Sequence, residues 1–97
     1  MTLKKLDKSF LFDFVANNIS KLTKLKISEI DNDTFIMGDK SVLKSSELFD
    51  FLLDLEIFLE KFNINFEWSK MIMKLSKINK NIKIKNLIEY INENKQN

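Results

Sequence analysis

SSELFDFLLDLEIFLEKF, residues 45–62, settles the fold class. Leu48, Phe51, Leu52, Leu55, Leu59 and Phe62 recur at i, i+3, i+4, i+7, i+11 and i+14. That is the spacing of one helix face, where residues three and four apart stack over each other. Glu47, Asp50, Asp54 and Lys61 mark the opposite face. Phe49, Leu53 and Ile57 fall between the two, so the apolar stripe is wider than one core contact requires.

The same period extends in both directions. Leu3, Leu6, Phe10, Phe14 and Ile19 predict an amphipathic first helix over roughly 3–23. Residues 26–44 carry the turn residues Asn32, Asp33, Gly38 and Asp39, with apolar anchors at Ile30, Phe35, Ile36 and Val42. A loop of that length is long for a compact domain and tends to be functional. Asn63-Ile64-Asn65 ends the second helix. Met71, Ile72 and Leu75 predict a short third helix within 67–77, and Ile84, Leu87, Ile88 and Ile91 a last one near 84–95. The expected fold is all-α: one domain, residues 1–97, with four helices, a long loop between the first two and a short third helix. Phe14, Phe35, Phe51, Leu55, Phe66, Ile72, Leu87 and Ile91 are its expected core, with Trp68 anchoring the third helix.

Composition excludes much chemistry. The chain of 97 residues has no cysteine and no histidine. Disulfides, thiolate nucleophiles and Ser–His or Cys–His catalytic pairs are therefore ruled out, and the commonest metal ligands are missing. Asp7 and Asp13 interrupt the N-terminal apolar run, unlike a signal peptide's unbroken core. No stretch approaches the roughly 18 apolar residues of a membrane span. A soluble, cytoplasmic monomer is expected. Asn18-Ile19-Ser20 and Asn32-Asp33-Thr34 match the glycosylation pattern, by chance if the chain is not exported.

The net charge of +2 is too small to imply a nucleic-acid partner, but its distribution is uneven. Residues 39–67 hold seven acids and three lysines, whereas 68–88 hold six lysines and no acid.

Ser45 and Ser46 sit where a helix cap belongs, and serine is a good cap. The full capping box is not met, because Leu48 and Phe49 stand three residues on. Glu47 still favours the positive end of the helix dipole. Ser41-Val42-Leu43-Lys44 fits the S-x-x-K nucleophile pattern, but that chemistry needs a far larger scaffold.

A third reading comes from resemblance. Lys44-Ser45-Ser46-Glu47-Leu48-Phe49-Asp50-Phe51 occupies the place of the Asp-Ser-Leu attachment motif of the acyl carrier proteins. Gly38-Asp39-Lys40-Ser41-Val42-Leu43 looks like the preceding loop end, and Phe62-Asn63-Ile64-Asn65-Phe66 like the segment after the second helix. Ile88-Glu89-Tyr90-Ile91-Asn92 resembles the terminal helix. The resemblance spans nearly the whole chain, with order and spacing in agreement. It implies a carrier, not an enzyme, with no catalytic or metal-binding residues of its own. A covalent 4′-phosphopantetheine arm, derived from coenzyme A, would sit on Ser45. Glu47, Phe49, Asp50, Leu53 and Asp54, with Glu56 beside them, would form the partner-docking face. The implied partners are a phosphopantetheinyl transferase, an acyl- or aminoacyl-activating enzyme and an acyltransferase. The resemblance also implies space between the helices for an acyl chain, which the bulky phenylalanines should leave small or closed.

Three departures point to a specialised carrier rather than the housekeeping fatty-acid one. Lys44 replaces the usual aspartate, the second helix runs about a turn longer, and the net charge is positive. Two other classes compete. One is a helical interaction module, a carrier scaffold that is never modified. The other is a nucleic-acid-binding module using Lys70, Lys74, Lys77, Lys80, Lys83 and Lys85. Against the latter, the segment has no arginine and no groove-reading motif.

Overall fold

The computed structural model describes residues 6–94. Its order is α1 (Lys8–Thr23), a 3₁₀ turn (Ile27–Glu29), β1 (Phe35–Met37), α2 (Ser45–Glu60), α3 (Trp68–Ser76), β2 (Ile82–Lys83) and α4 (Ile84–Asn94). Among the described residues there are four α-helices, but the fold is not purely all-α, because β1 and β2 pair as a small antiparallel sheet. Among the described residues no helix is long and apolar enough to cross a membrane.

The first helix starts later than its apolar spacing suggests, because a side chain sets the start. Asp7 Oδ1 accepts from Phe10 N at 2.8 Å and so caps α1. Leu3 lies outside the described residues. At the other end Lys24 takes a left-handed conformation (φ 74°), and its N–H donates to Ser20 O at 3.1 Å. The deep face of α1 is Leu11, Val15, Ala16 and Ile19. Phe10 and Phe14, expected on that face, are half-buried and instead meet α2 and the turn after it. Phe14 stacks on Phe58 with centroids 4.0 Å apart, and Phe10 lies 5.9 Å from Phe58 and 6.0 Å from Phe62. Such pairs add about 0.5–1.5 kcal/mol beyond simple burial.

In α2, Phe51, Leu52, Leu55 and Leu59 are buried as the spacing predicts. Leu48 and Phe62 are half-buried at its edges. Removing each buried side chain from water stabilises the fold by about 1.5–3 kcal/mol. Met71 and Leu75 anchor the short α3 against α4, and Ile84, Leu87, Ile88 and Ile91 form the buried face of α4. Of the expected core, Phe51, Leu55, Phe66, Leu87 and Ile91 are buried and Phe14 and Ile72 pack on its margin, whereas Phe35 is half-buried with the ammoniums of Lys40 and Lys83 over its ring.

The long connection 24–44 is ordered by what it buries and pairs with. Ile30, Ile36, Met37 and Leu43 enter the core. Val42, expected as an anchor, is exposed at 36%, and its neighbour Leu43 takes the inward place. Phe35 pairs with Lys83 and Met37 with Ile82, leaving Ile36 as the extra residue of a bulge. α4 follows β2 without a break. Its first N–H groups, which no helix can satisfy internally, donate to the loop: Ile84 N to Thr34 O at 2.9 Å and Lys85 N to Asn32 O at 3.0 Å.

Candidate functional site

The start of α2 is built by Lys44, not by a serine. Lys44 is the extended N-cap residue, and Leu48 N donates to its carbonyl at 2.8 Å. Glu47 Oε1 turns back to accept from Lys44 N at 2.9 Å. This is the returning half of a capping box, shifted one residue ahead of the serines. Ser45 and Ser46 are therefore the first two helical residues, both exposed. Neither hydroxyl has a hydrogen-bond partner among the described residues, so the capping role expected of them falls to Glu47.

Ser41 is a different case. Its hydroxyl lies 2.8 Å from Ile36 O and 3.0 Å from Leu43 O, and it accepts from Leu43 N at 3.0 Å. It ties the loop end to β1 and is half-buried. That leaves Ser45 and Ser46 as the accessible hydroxyls at this end of α2.

Behind Ser45 runs an apolar row at four-residue steps: Phe49 (52% exposed), Leu53 (40%) and Ile57 (58%). These are not extra core. At 100° per residue, Ser46 lies about 20° from Leu53 and Ile57 around the helix. Ser45 lies about 40° from Phe49, at the row's edge. Trp68 meets Phe49 edge-on, with centroids 6.3 Å apart and rings at 86°. It is half-buried, packing against the core as expected while its exposed part flanks this surface.

The acids of α2 divide by what they touch. Asp50 is exposed. Glu47 is half-buried and engaged in the cap. Asp54 is half-buried too, and its Oδ2 accepts from Asn18 Nδ2 at 3.2 Å, joining α2 to α1. Asn18 is buried, which removes the first glycosylation match from consideration in the folded protein. The family resemblance picked out Ser45, Phe49, Asp50 and Leu53, all of them exposed, and left out Ile57, which spacing had grouped with Phe49 and Leu53, and Trp68. Ile57 had a signal, the continued four-residue step; Trp68 had none, since its contact with Phe49 is tertiary.

Clefts lie elsewhere on the surface. One of about 250 Å³ is lined by Ile64, Phe66, Lys70 and Tyr90, and one of about 480 Å³ by Lys8, Phe12, Lys85 and Ile88. Between α1 and α4, the gap beside Leu6, Leu11 and Ile91 has no room for a water molecule. Among the described residues no cluster of three acids is arranged to hold a metal ion. No family model matches the chain, and no curated protein or solved structure matches it either.

Proposed function

We propose that the protein is a specialised cytoplasmic carrier, in which Ser45 accepts a 4′-phosphopantetheine arm and α2 presents that arm to partner enzymes. One observation carries the reading: Ser45 opens α2 with an exposed hydroxyl that caps nothing, one turn from the exposed Phe49. The surroundings fit the group. A helix start offers unpaired N–H groups and positive dipole charge to a phosphodiester, and Lys44 adds a cation. Ser45 would hold the arm, with the first turn of α2 facing its phosphate. When bound, the arm supplies a terminal thiol that carries an acyl or aminoacyl group as a thioester.

Ser45 needs no base beside it, because the modifying transferase brings its own. The remaining task of this chain is recognition. Phe49 and Leu53 offer apolar contact, and Asp50 offers charge for steering and register. Asp54 and Glu47 contribute less than their sequence positions suggest, since each is already engaged within the fold. An activating enzyme and an acyltransferase are the partner classes this surface would serve. A second reading is an unmodified interaction module. It is favoured by Ile57, which extends the exposed row well beyond the attachment point.

Intact mass after incubation with coenzyme A and a broad-specificity phosphopantetheinyl transferase separates the two. The carrier reading expects one phosphopantetheine added, retained in Ser46→Ala and lost in Ser45→Ala. No addition, even with the transferase of the same organism, overturns it in favour of the interaction module. Retention in Ser45→Ala with loss in Ser46→Ala would move the site by one residue.

A further inference from the structure

The lysine-rich segment that follows α2 has an apolar component that its sequence does not reveal. Met71 and Leu75 point into the core, which turns Met73 outward at 63% exposure with Lys70, Lys74 and Lys77 around it. Ile78, in the turn after α3, is 72% exposed, and Lys77 and Lys80 flank it. Ile78 does not reach solvent by fraying. Its N–H donates to Leu75 O at 3.1 Å, and Asn79 N donates to the same carbonyl at 2.8 Å. The turn therefore holds a large apolar side chain outward.

Charge around these two side chains is mostly unspent. Lys70 pairs with Glu67 at 2.6 Å, and the Lys74 ammonium lies 5.6 Å over the Tyr90 ring. Glu89 and Glu93 line a shallow cleft beside Lys74 and Ile78. Among the described residues, Lys77 and Lys80 have no carboxylate within ion-pair distance.

An anionic partner is implied, and the side chains choose among the classes. Nucleic acid is read by arginine forks and stacked aromatics; the sequence has no arginine, and the one aromatic beside this face, Tyr90, is half-buried with Lys74 over its ring. A protruding Met73 and Ile78 would gain nothing from a phosphate backbone. A bilayer surface takes both features: isolated apolar side chains enter the headgroup–acyl boundary, while lysine stems lie along it with their ammoniums at lipid phosphates.

We propose that the outer face of α3 and the turn after it form a reversible docking surface for an anionic lipid bilayer. Met73 and Ile78 enter the interface, and Lys74, Lys77 and Lys80 meet the headgroups. The proposal does not use Ser45 or the exposed row of α2.

The test is co-sedimentation of the full chain with vesicles of phosphatidylcholine alone or mixed equally with phosphatidylglycerol. The chain should bind the mixed vesicles, more weakly as salt rises, and not the neutral ones. Lys77→Gln and Lys80→Gln should each lower partitioning about fivefold. Ile78→Ser should lower it about tenfold. Lys21→Gln, the same charge change on α1, should leave it nearly unchanged, and thermal melts should show all variants folded. The proposal is overturned by no binding to mixed vesicles, by equal loss in Lys21→Gln, or by indifference to Ile78→Ser. It is also overturned if the chain binds generic DNA or RNA more tightly than mixed vesicles, with that binding sensitive to Lys77→Gln but not to Ile78→Ser.

Discussion

Gly38, the chain's one glycine, is fixed by a neighbour 43 positions away. Its φ of 98° lies where side chains are disfavoured, and an added Cβ would clash with Asn81 Oδ1 and stand 2.8 Å from Lys80 O. Asn81 Oδ1 also accepts from Lys40 N at 3.1 Å, so the turn after β1 and the turn before β2 are locked together. Asn81 can rotate its side chain, but Lys80 O is backbone and cannot withdraw alone. Gly38→Ala should therefore lower the unfolding free energy by roughly 2–3 kcal/mol in urea titration, since positive φ and contact strain add. Asn81→Gly in the same background should restore only part of that loss. A full rescue would show that the backbone conformation is unstrained and that the amide alone is responsible.

At the start of α2 the cap decides the geometry of the proposed attachment point. Glu47 supplies the returning hydrogen bond that a serine was expected to supply in another form. Glu47→Ala should destabilise the protein by about 1 kcal/mol, whereas Ser45→Ala and Ser46→Ala should change it by under about 0.5 kcal/mol, all read from thermal melts. A larger loss for either serine would reassign the cap. The helices were legible because each buries a face of at least two turns, which leaves a repeated spacing in the sequence. β1 and β2 were not, since three and two residues are too few to show alternation. Their pairing depends on contacts such as Phe35 with Lys83, which local pattern cannot express. The same limit applies to Val42 and Leu43. Both are apolar, and only the Ser41 hydrogen bonds and the approach to α2 decide which one turns inward. Within the site, spacing set Phe49 and Leu53 apart from the core face, the choice of Ser45 came from the family resemblance, and the diversion of Asp54 towards Asn18 required knowing that α1 lies beside α2.

Across the whole molecule, the loop and α4 are joined by charge as well as by backbone. Asp33 Oδ1 lies 3.4 Å from Lys83 Nζ and 3.5 Å from Lys85 Nζ, at the start of α4. The Lys83 hydrogen bond, and then the charges of Lys83 and Lys85, hold the Asp33 carboxyl below its ordinary value of 3.8. A carboxyl whose folded value is depressed stabilises the fold when ionised. Its contribution is complete above 3.8 and disappears as pH falls through the lower folded value. The group is exposed, so added salt should weaken the effect. With no histidine or cysteine, no side chain has an ordinary pKa between about 5 and 9, so the urea midpoint should be flat there. Asp33→Asn should lower that midpoint at pH 7, and the two proteins should converge as the pH drops below 3.8. An offset that persisted at the lowest pH, or that ignored salt, would mean that Asp33 acts through the loop's hydrogen bonds and not through its charge.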